Sequence, residues 1–246
     1  MSYEQSAAYY DRIYAFKDYG AEVDRLIDIA GPSLPARATR LLDVACGTGK
    51  HLDVLKRRFD AHGLDLSPGL LEIARRRNPD VVFHQGDMRN FRLDERFDLI
   101  TCLFSSIGYM TTYDDLCAAV SCMARHLAPG GVLAIEPWFT PDQWMNHTVH
   151  ALFIDDPDLK IVRMNTSLVE DSVSIVDLHH LIGTPERTIH FVEEHRLALF
   201  TIAQMTSAFE SAGLRVAFDS EGITDRGLYV AKRACSAKST TECDGR

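Results

Sequence analysis

The sequence predicts an α/β protein built on a doubly wound, mostly parallel sheet, with a small antiparallel β layer inserted after the fifth strand. Three observations carry that prediction. Short apolar runs alternate with helical patterns over residues 39–139. These runs are apolar at consecutive positions, as in strands covered on both faces. Over residues 149–200 strand-like runs follow one another with only turn-like stretches between them, so they pair as antiparallel hairpins.

The elements follow in order. "TRLLDVAC" (39–46) reads as the first buried strand and "KHLDVLKRRF" as the helix after it. "DAHGLDLS" is the second strand, and Pro68 opens the helix "PGLLEIARRRN", where its missing N–H is no loss. "VVFHQGD" and "FDLITCLFSS" are the third and fourth strands. In the helix "TYDDLCAAVSCMARHLAPGG", Thr112 is the N-cap and Asp114 and Asp115 favour the positive end; Leu116, Ala119, Val120, Met123 and Leu127 share one face. Pro129-Gly130-Gly131 ends it, before the fifth strand "VLAIEPWF". "KIVRMNTSLV", "SVSIVDLHHLI" and "TIHFVEEHRLALF" form the inserted layer. The helix "TIAQMTSAFESAGL" opens on a Thr201/Gln204 capping box and stops at Gly213. "RVAFDS" and "GLYVAKR" then complete a seven-stranded main sheet. Residues 1–233 read as one domain, with a ligand-binding half at 39–139 and the inserted layer at 149–200; 234–246 reads as a disordered tail.

A net charge of −9 argues against a surface that tracks nucleic-acid phosphates. No apolar run approaches the ~18 residues of a membrane span, and the N-terminus has no basic and apolar leader. The six cysteines make no C-x-x-C pair, as expected of reduced thiols in a cytoplasmic protein. His179 and His180 are adjacent, a poor spacing for one metal, so no metal is assigned.

Gly47-Thr48-Gly49 stands between a strand and a helix, where backbone N–H groups approach a ligand closely. A dinucleotide fold needs a third glycine, and Leu52 occupies that position. A phosphate loop needs a hydroxyl after the lysine, and His51 follows Lys50. The turn therefore suits a smaller, less anionic ligand. Asp43 either faces a cationic group or ties loop amides together. Asp65 ends the second strand, placed to hold two ribose hydroxyls; Asp87 ends the third, placed to accept from an adenine amine or to cap a helix.

"LLDVACGTGKH", "GLDLS", "QGDM" and "FDLITCLFSSIGY" resemble, in order, the motifs of class I S-adenosylmethionine-dependent methyltransferases over residues 41–137. The resemblance implies a Rossmann-like methyltransferase sheet and S-adenosylmethionine as cofactor. It places Gly47 and Gly49 on the methionine part, Asp65 on the ribose, and Asp87 with Met88 on the adenine. Tyr19, Asp43, Ala45, Leu66 and Phe104 complete the expected cofactor set.

A narrower resemblance covers nearly the whole chain. "YYDRIYAFKDYGAEV", "FHQGDMRNFRL", "FSSIGY", "LAPGGVLAIEPWF", "HFVEEHRLALFT", "AFESAGLRV" and "DRGLYV" resemble the nucleotide-diphospho-aminosugar N,N-dimethyltransferases. That resemblance implies that Lys17-Asp18-Tyr19 lies on an N-terminal helix closing over the cofactor, that Tyr109 stands beside the acceptor amine, and that Arg226 reaches the diphosphate of a dTDP-linked amino sugar. "MNTSLVEDSVSI" departs from the family's pattern, and the stretch before Lys17 is shorter.

The residues themselves add an acceptor site. Ile189, Phe191, Leu197 and Leu199 alternate onto one face of a strand that Glu193 and His195 interrupt; Asp177 and His179 are expected to repeat this on the strand before. Such groups either pair across strands or meet a polar ligand. Tyr14, Trp138 and Phe139 are expected to wall the pocket, Tyr109 to orient the nucleophile, and His195 or Glu193 to take the released proton. The predicted function is methyl transfer to the amine of a nucleotide-linked amino sugar. N- or O-methylation of a metabolite without a nucleotide carrier is the alternative; a nicotinamide oxidoreductase or a non-catalytic cofactor-binding protein is more remote. No nucleic-acid or membrane partner is expected, and the exposed edge of the inserted layer favours a homodimer.

Overall fold

The computed structural model describes residues 5–233; the tail expected at 234–246 lies outside the described residues. Helices and strands follow as α1 (Tyr10–Ile13), α2 (Tyr19–Ala30), β1 (Arg40–Val44), α3 (Lys50–Leu55), β2 (Asp60–Asp65), α4 (Pro68–Arg77), β3 (Val82–Gln85), β4 (Phe97–Cys102), α5 (Tyr113–Arg125) and β5 (Leu127–Ile135). The inserted layer is β6 (Val149–Asp155), β7 (Lys160–Glu170), β8 (Val173–Gly183) and β9 (Thr188–Ala198); α6 (Ile202–Ser211), β10 (Leu214–Asp219) and β11 (Leu228–Arg233) follow.

The apolar runs become a sheet in the order β10-β11-β5-β4-β1-β2-β3, parallel from β5 to β3, with β11 antiparallel to β5 and β10. Leu41, Leu42 and Val44 of β1 are fully buried, between one core cluster that includes α5 and α6 and another that includes α2 and α3. The helix ends are set as the sequence predicts. Ser67 accepts from the Leu70 N–H ahead of Pro68, Thr112 accepts from Asp115, and the Thr201/Gln204 capping box is complete. One boundary differs. Leu127 and Pro129-Gly130-Gly131 lie inside β5 rather than ending α5, and the β4–β5 ladder shifts register between Phe97 and Leu99 to absorb them.

The inserted layer is a four-stranded antiparallel sheet, ordered β6-β7-β8-β9. Its first strand, "VHALFID", was not expected from the sequence. Arg163, Asn165 and Ser167 of β7, Val176, Leu178 and His180 of β8, and Glu193, His195 and Leu197 of β9 share the inner face, fixed by pairs such as Asn165↔Leu178 and Val176↔His195. Asp177 and His179 do not repeat the Glu193/His195 arrangement. They occupy the outer face of β8, where His179 is exposed and stacks on His190; the inward histidine is the buried His180. Alternation on β8 runs one residue out of step with the expected phase, so every side chain on it changes face.

Candidate active site

Both cavities open beyond the carboxyl ends of the parallel strands, where open α/β sheets bind their ligands. The first, of about 270 Å³, is lined by Ala45 and Gly47 after β1, Asp65 and Leu66 at the end of β2, Asp87 and Met88 after β3, and Phe104 and Tyr109 after β4. A small extension of about 40 Å³ adds Tyr19, Asp43, Lys50 and His51. Gly47 has φ +56, and a Cβ built on it would meet nothing within 4 Å, so the turn leaves room for a ligand beside its backbone. Asp65 Oδ2 accepts the Gly47 N–H and Oδ1 the Ser67 N–H, each at 2.8 Å. Each carboxylate oxygen keeps a second lone pair, which suits a ribose diol. Asp43 is buried, accepts the Thr101 hydroxyl at 2.7 Å, and burial pushes its pKa up to about 6. Asp87 is gripped by Arg89, whose guanidinium also reaches Asp115 at 3.0 Å; hydrogen bonds from Arg89 hold the Asp87 carboxyl below the usual range. These donors and acceptors fit a cationic adenosyl ligand.

The second cavity, of about 400 Å³, lies against the inner face of the inserted sheet. Phe104 and Tyr109 line both cavities and form the wall between them. That wall has an unusual backbone: Phe104 has φ +52 and Ser105 φ +61. Glu136, just beyond β5, accepts the Phe104 N–H at 2.6 Å, and Ser105 Oγ donates to the Pro137 carbonyl at 2.6 Å. Glu136 is 2% exposed and also accepts from the Thr224 hydroxyl. Arg226 in turn donates to Thr224 Oγ1 at 2.8 and 3.1 Å, and its guanidinium lies 5.5–5.7 Å from the rings of Phe104, Trp138 and Phe139. Tyr109 Oη lies 2.6 Å from His195 Nδ1. Burial lowers the His195 pKa to about 4, so its imidazole is neutral at pH 7.

The N-terminal segment covers both cavities. Asp11 accepts from Thr48 in the glycine turn at 2.7 Å and pairs with Arg77, while Tyr14 lines the second cavity and accepts from Arg163 at 3.1 Å. Lys17 precedes α2, buried against Glu22 at 2.7 Å and 3.9 Å above the Phe104 ring; Glu22 also holds His51 at 2.8 Å.

A methyltransferase-domain family model matches residues 41–131. The dTDP-3-amino-3,4,6-trideoxy-alpha-D-glucopyranose N,N-dimethyltransferase of Streptomyces venezuelae is 40% identical over 216 residues, covering 87% of this chain and 91% of that protein. The dTDP-4-amino-2,3,4,6-tetradeoxy-D-glucose N,N-dimethyltransferase of Saccharopolyspora spinosa is 40% identical over 227 residues, 91% of each chain. The chain belongs to the amino-sugar N,N-dimethyltransferase family. It is an S-adenosylmethionine-dependent methyltransferase. The structure of CalS10, an amino pentose methyltransferase from Micromonospora echinaspora with S-adenosylmethionine bound, aligns at TM-score 0.82 and 36% identity, over 93% of this chain and 96% of that one.

In this methyltransferase the structure gathers Ala45, Gly47, Asp65, Leu66, Asp87, Met88 and Phe104 around the cofactor cavity and Tyr19 and Asp43 at its extension. Gly49, at φ +73, instead packs on α4, its carbonyl accepting from Asn78 at 3.0 Å. Tyr14, Trp138, Phe139, Tyr109, His195 and Arg226 line the acceptor cavity. Glu193 does not line it: one of its oxygens accepts the N–H groups of Gln5 and Ser6, at 3.0 and 3.2 Å. The sequence reading passes over Trp144, Arg163 and Asn165, which line the second cavity, and Glu136, which supports its wall from behind. Glu136 ends an apolar strand as Asp65 and Asp87 do, and that shared position was the available signal.

Proposed function

We propose that the enzyme transfers methyl groups to the amine of a sugar carried on a nucleotide diphosphate, ending at the N,N-dimethyl product. The observation that carries this is a separation of charge. In a chain of net charge −9, the acceptor cavity is lined by Arg163 and Arg226 and by no Asp or Glu, with Glu136 behind Arg226 at 3.9 Å, whereas the cofactor cavity is lined by Asp65, Asp87 and Asp115 against a single Arg89. A cationic cofactor and an anionic acceptor are each matched. The relatives from Streptomyces venezuelae and Saccharopolyspora spinosa, named for dTDP-linked amino sugars, support the same reading.

S-adenosylmethionine supplies a methyl group made electrophilic by its sulfonium. The chain's own residues must hold a neutral amine in line with it and keep water out. Tyr109, in the wall between the cavities, is positioned for the first task. With the His195 proton on Nε2, toward Glu193 at 4.0 Å, Nδ1 accepts the Tyr109 hydroxyl and the phenolic oxygen is oriented to accept an amine N–H. Because burial disfavours the protonated imidazole, the part of neutral His195 is to orient the Tyr109 hydroxyl rather than to keep the proton released after transfer. Phe104, Trp138, Phe139 and Trp144 make the surrounding wall apolar.

The test is calorimetric titration of thymidine diphosphate into protein saturated with S-adenosylhomocysteine. Micromolar binding that disappears in Arg226→Ala supports a nucleotide carrier; absence of binding by the unaltered enzyme redirects the acceptor to free small molecules.

We further propose a cytoplasmic homodimer. Among the described residues no helix is long and apolar enough to cross a membrane. The outer face of the inserted sheet exposes Val149, Phe153, Met164, Leu181 and Val192 together, a patch suited to a second copy.

A further inference from the structure

The acceptor cavity is lined by two side chains whose hydrogen-bond donors have no partner among the described residues. The indole Nε1 of Trp144 and the guanidinium Nε of Arg163 are both shielded from solvent and both unpaired. A buried donor without an acceptor destabilises the fold, and a native protein that keeps one has a use for it.

Packing does not explain either donor. Trp144 sits in the turn after β5, its backbone N–H bonded to the Thr140 carbonyl at 3.1 Å, and its ring lies 5.6 Å from Trp138 and 5.8 Å from Phe139. A phenyl ring would fill much of that contact without a polar atom. Arg163 is fixed by its bond to the Tyr14 hydroxyl and by lying 5.3 Å from the Tyr14 ring, which leaves Nε committed to nothing. An indole N–H and a guanidinium only donate. No carboxylate lines the cavity, and the neutral acceptors on its lining, among them Gln143, Asn165 and Ser167, bond neither donor, so a ligand that brings oxygens into the cavity has two donors open to it. Trp144 also belongs to the aromatic group on which Arg226 rests, 5.6 Å from Trp138, so the two donors and Arg226 together favour oxygens that carry negative charge.

We propose that Trp144 and Arg163 are substrate-recognition residues, their Nε1 and Nε donating to phosphoryl oxygens of the acceptor; this rests on the nucleotide-diphosphate reading above. The ligand-free enzyme then carries two unmet donors that substrate satisfies. Binding and folding make opposite demands on Trp144, so the conservative variant has a distinctive signature.

Thymidine diphosphate is titrated into S-adenosylhomocysteine-saturated wild type, Trp144→Phe and Arg163→Lys, and each protein is melted without nucleotide. Trp144→Phe is expected to bind about ten-fold more weakly while melting no lower than wild type, the loss of one charge-assisted hydrogen bond without loss of packing. Arg163→Lys, which keeps the charge and lacks the Nε–H, is expected to weaken binding at an unchanged melting temperature. Equal affinities in wild type and both variants overturn the assignment and leave amino-sugar methylation standing. A Trp144→Phe protein that melts lower and binds as tightly makes Trp144 a packing residue and overturns its part. Should Trp144→Phe lose both stability and affinity, Arg163→Lys decides: weaker binding at unchanged melting supports the proposal, unchanged binding overturns it. Failure of the wild type itself to bind overturns this proposal and the nucleotide reading together.

Discussion

Tyr109 and His195, 86 residues apart in the chain, are joined by a 2.6 Å hydrogen bond that ties the end of the parallel sheet to the inserted one. The bond lies at the wall shared by the two cavities, and in the function proposed above it orients the phenol toward the acceptor amine. Tyr109→Phe keeps the ring and loses the hydroxyl. Its kcat is expected to fall at least about ten-fold, the loss of one oriented hydrogen bond, with S-adenosylmethionine affinity within about two-fold of wild type. Steady-state kinetics and cofactor titration on the same preparation check this; a proportional loss of cofactor affinity contradicts it.

Arg226 is held by Thr224 and by Glu136, whose carboxylate lies 3.9 Å from its guanidinium. Arg226→Ala is expected to raise KM for a nucleotide-linked amino sugar by about ten- to hundred-fold, the range of hydrogen bonds to charged groups, with a smaller change in kcat. The wild-type KM should rise with salt and the variant's should respond less, because the screened attraction has been removed.

Asp65 uses one oxygen on each of two backbone N–H groups. Asp65→Asn turns an acceptor into an NH₂ group facing one of those donors. A lowered melting temperature and a cofactor dissociation constant raised by more than about ten-fold are expected together, measured by thermal melting and by S-adenosylhomocysteine titration.

Stability should decline in mild acid. Burial lowers the pKa of His195 from 6.5 to about 4 and also lowers those of His62, His84, His126 and His180. Between those two pH values the unfolded chain binds the proton that folded His195 refuses, so stability falls as pH drops from 6.5 toward 4. Asp43, raised to about 6 by burial, and Asp65, also raised by burial, oppose this, since their folded forms take protons first. With five histidines against two carboxylates, the melting temperature is expected to fall from pH 7 to pH 4.5. His195→Phe should flatten that slope; a slope unchanged in the variant would falsify the role given to His195.

Phe153, 70% exposed at the outer face of the inserted sheet, provides the test of assembly. Light scattering is expected to give twice the chain mass for wild type and the single mass for Phe153→Glu, since a carboxylate there would be desolvated on pairing. A monomeric wild type excludes the homodimer.

The cofactor half was legible in the sequence because its chemistry is local. Asp65, Asp87 and the glycine turn each follow directly from a strand end, and a strand end is a feature of consecutive residues. The acceptor half depends on register. On β9 the apolar positions flanking Glu193 and His195 fix the phase and the inward face; on β8 the adjacent His179 and His180 leave it ambiguous, and the fold turns His180 inward where the sequence suggests His179. β6 was missed because its outward residues, including Phe153, are apolar and exposed, which erases the usual contrast between faces. Trp144 and Arg163 carry no local pattern at all. Only the folded sheet and the turn after β5 bring them to one cavity.

Arg163, Asn165 and Ser167 occupy every second position of a single strand and line the second cavity, while the residues between them face away. A change at one of these positions reshapes the wall of the second cavity without touching the glycine turn, Asp65 or the Tyr109–His195 bond. The fold therefore offers an engineer an exchangeable panel: three alternate side chains on β7 can be varied together while the lining of the first cavity stays as it is.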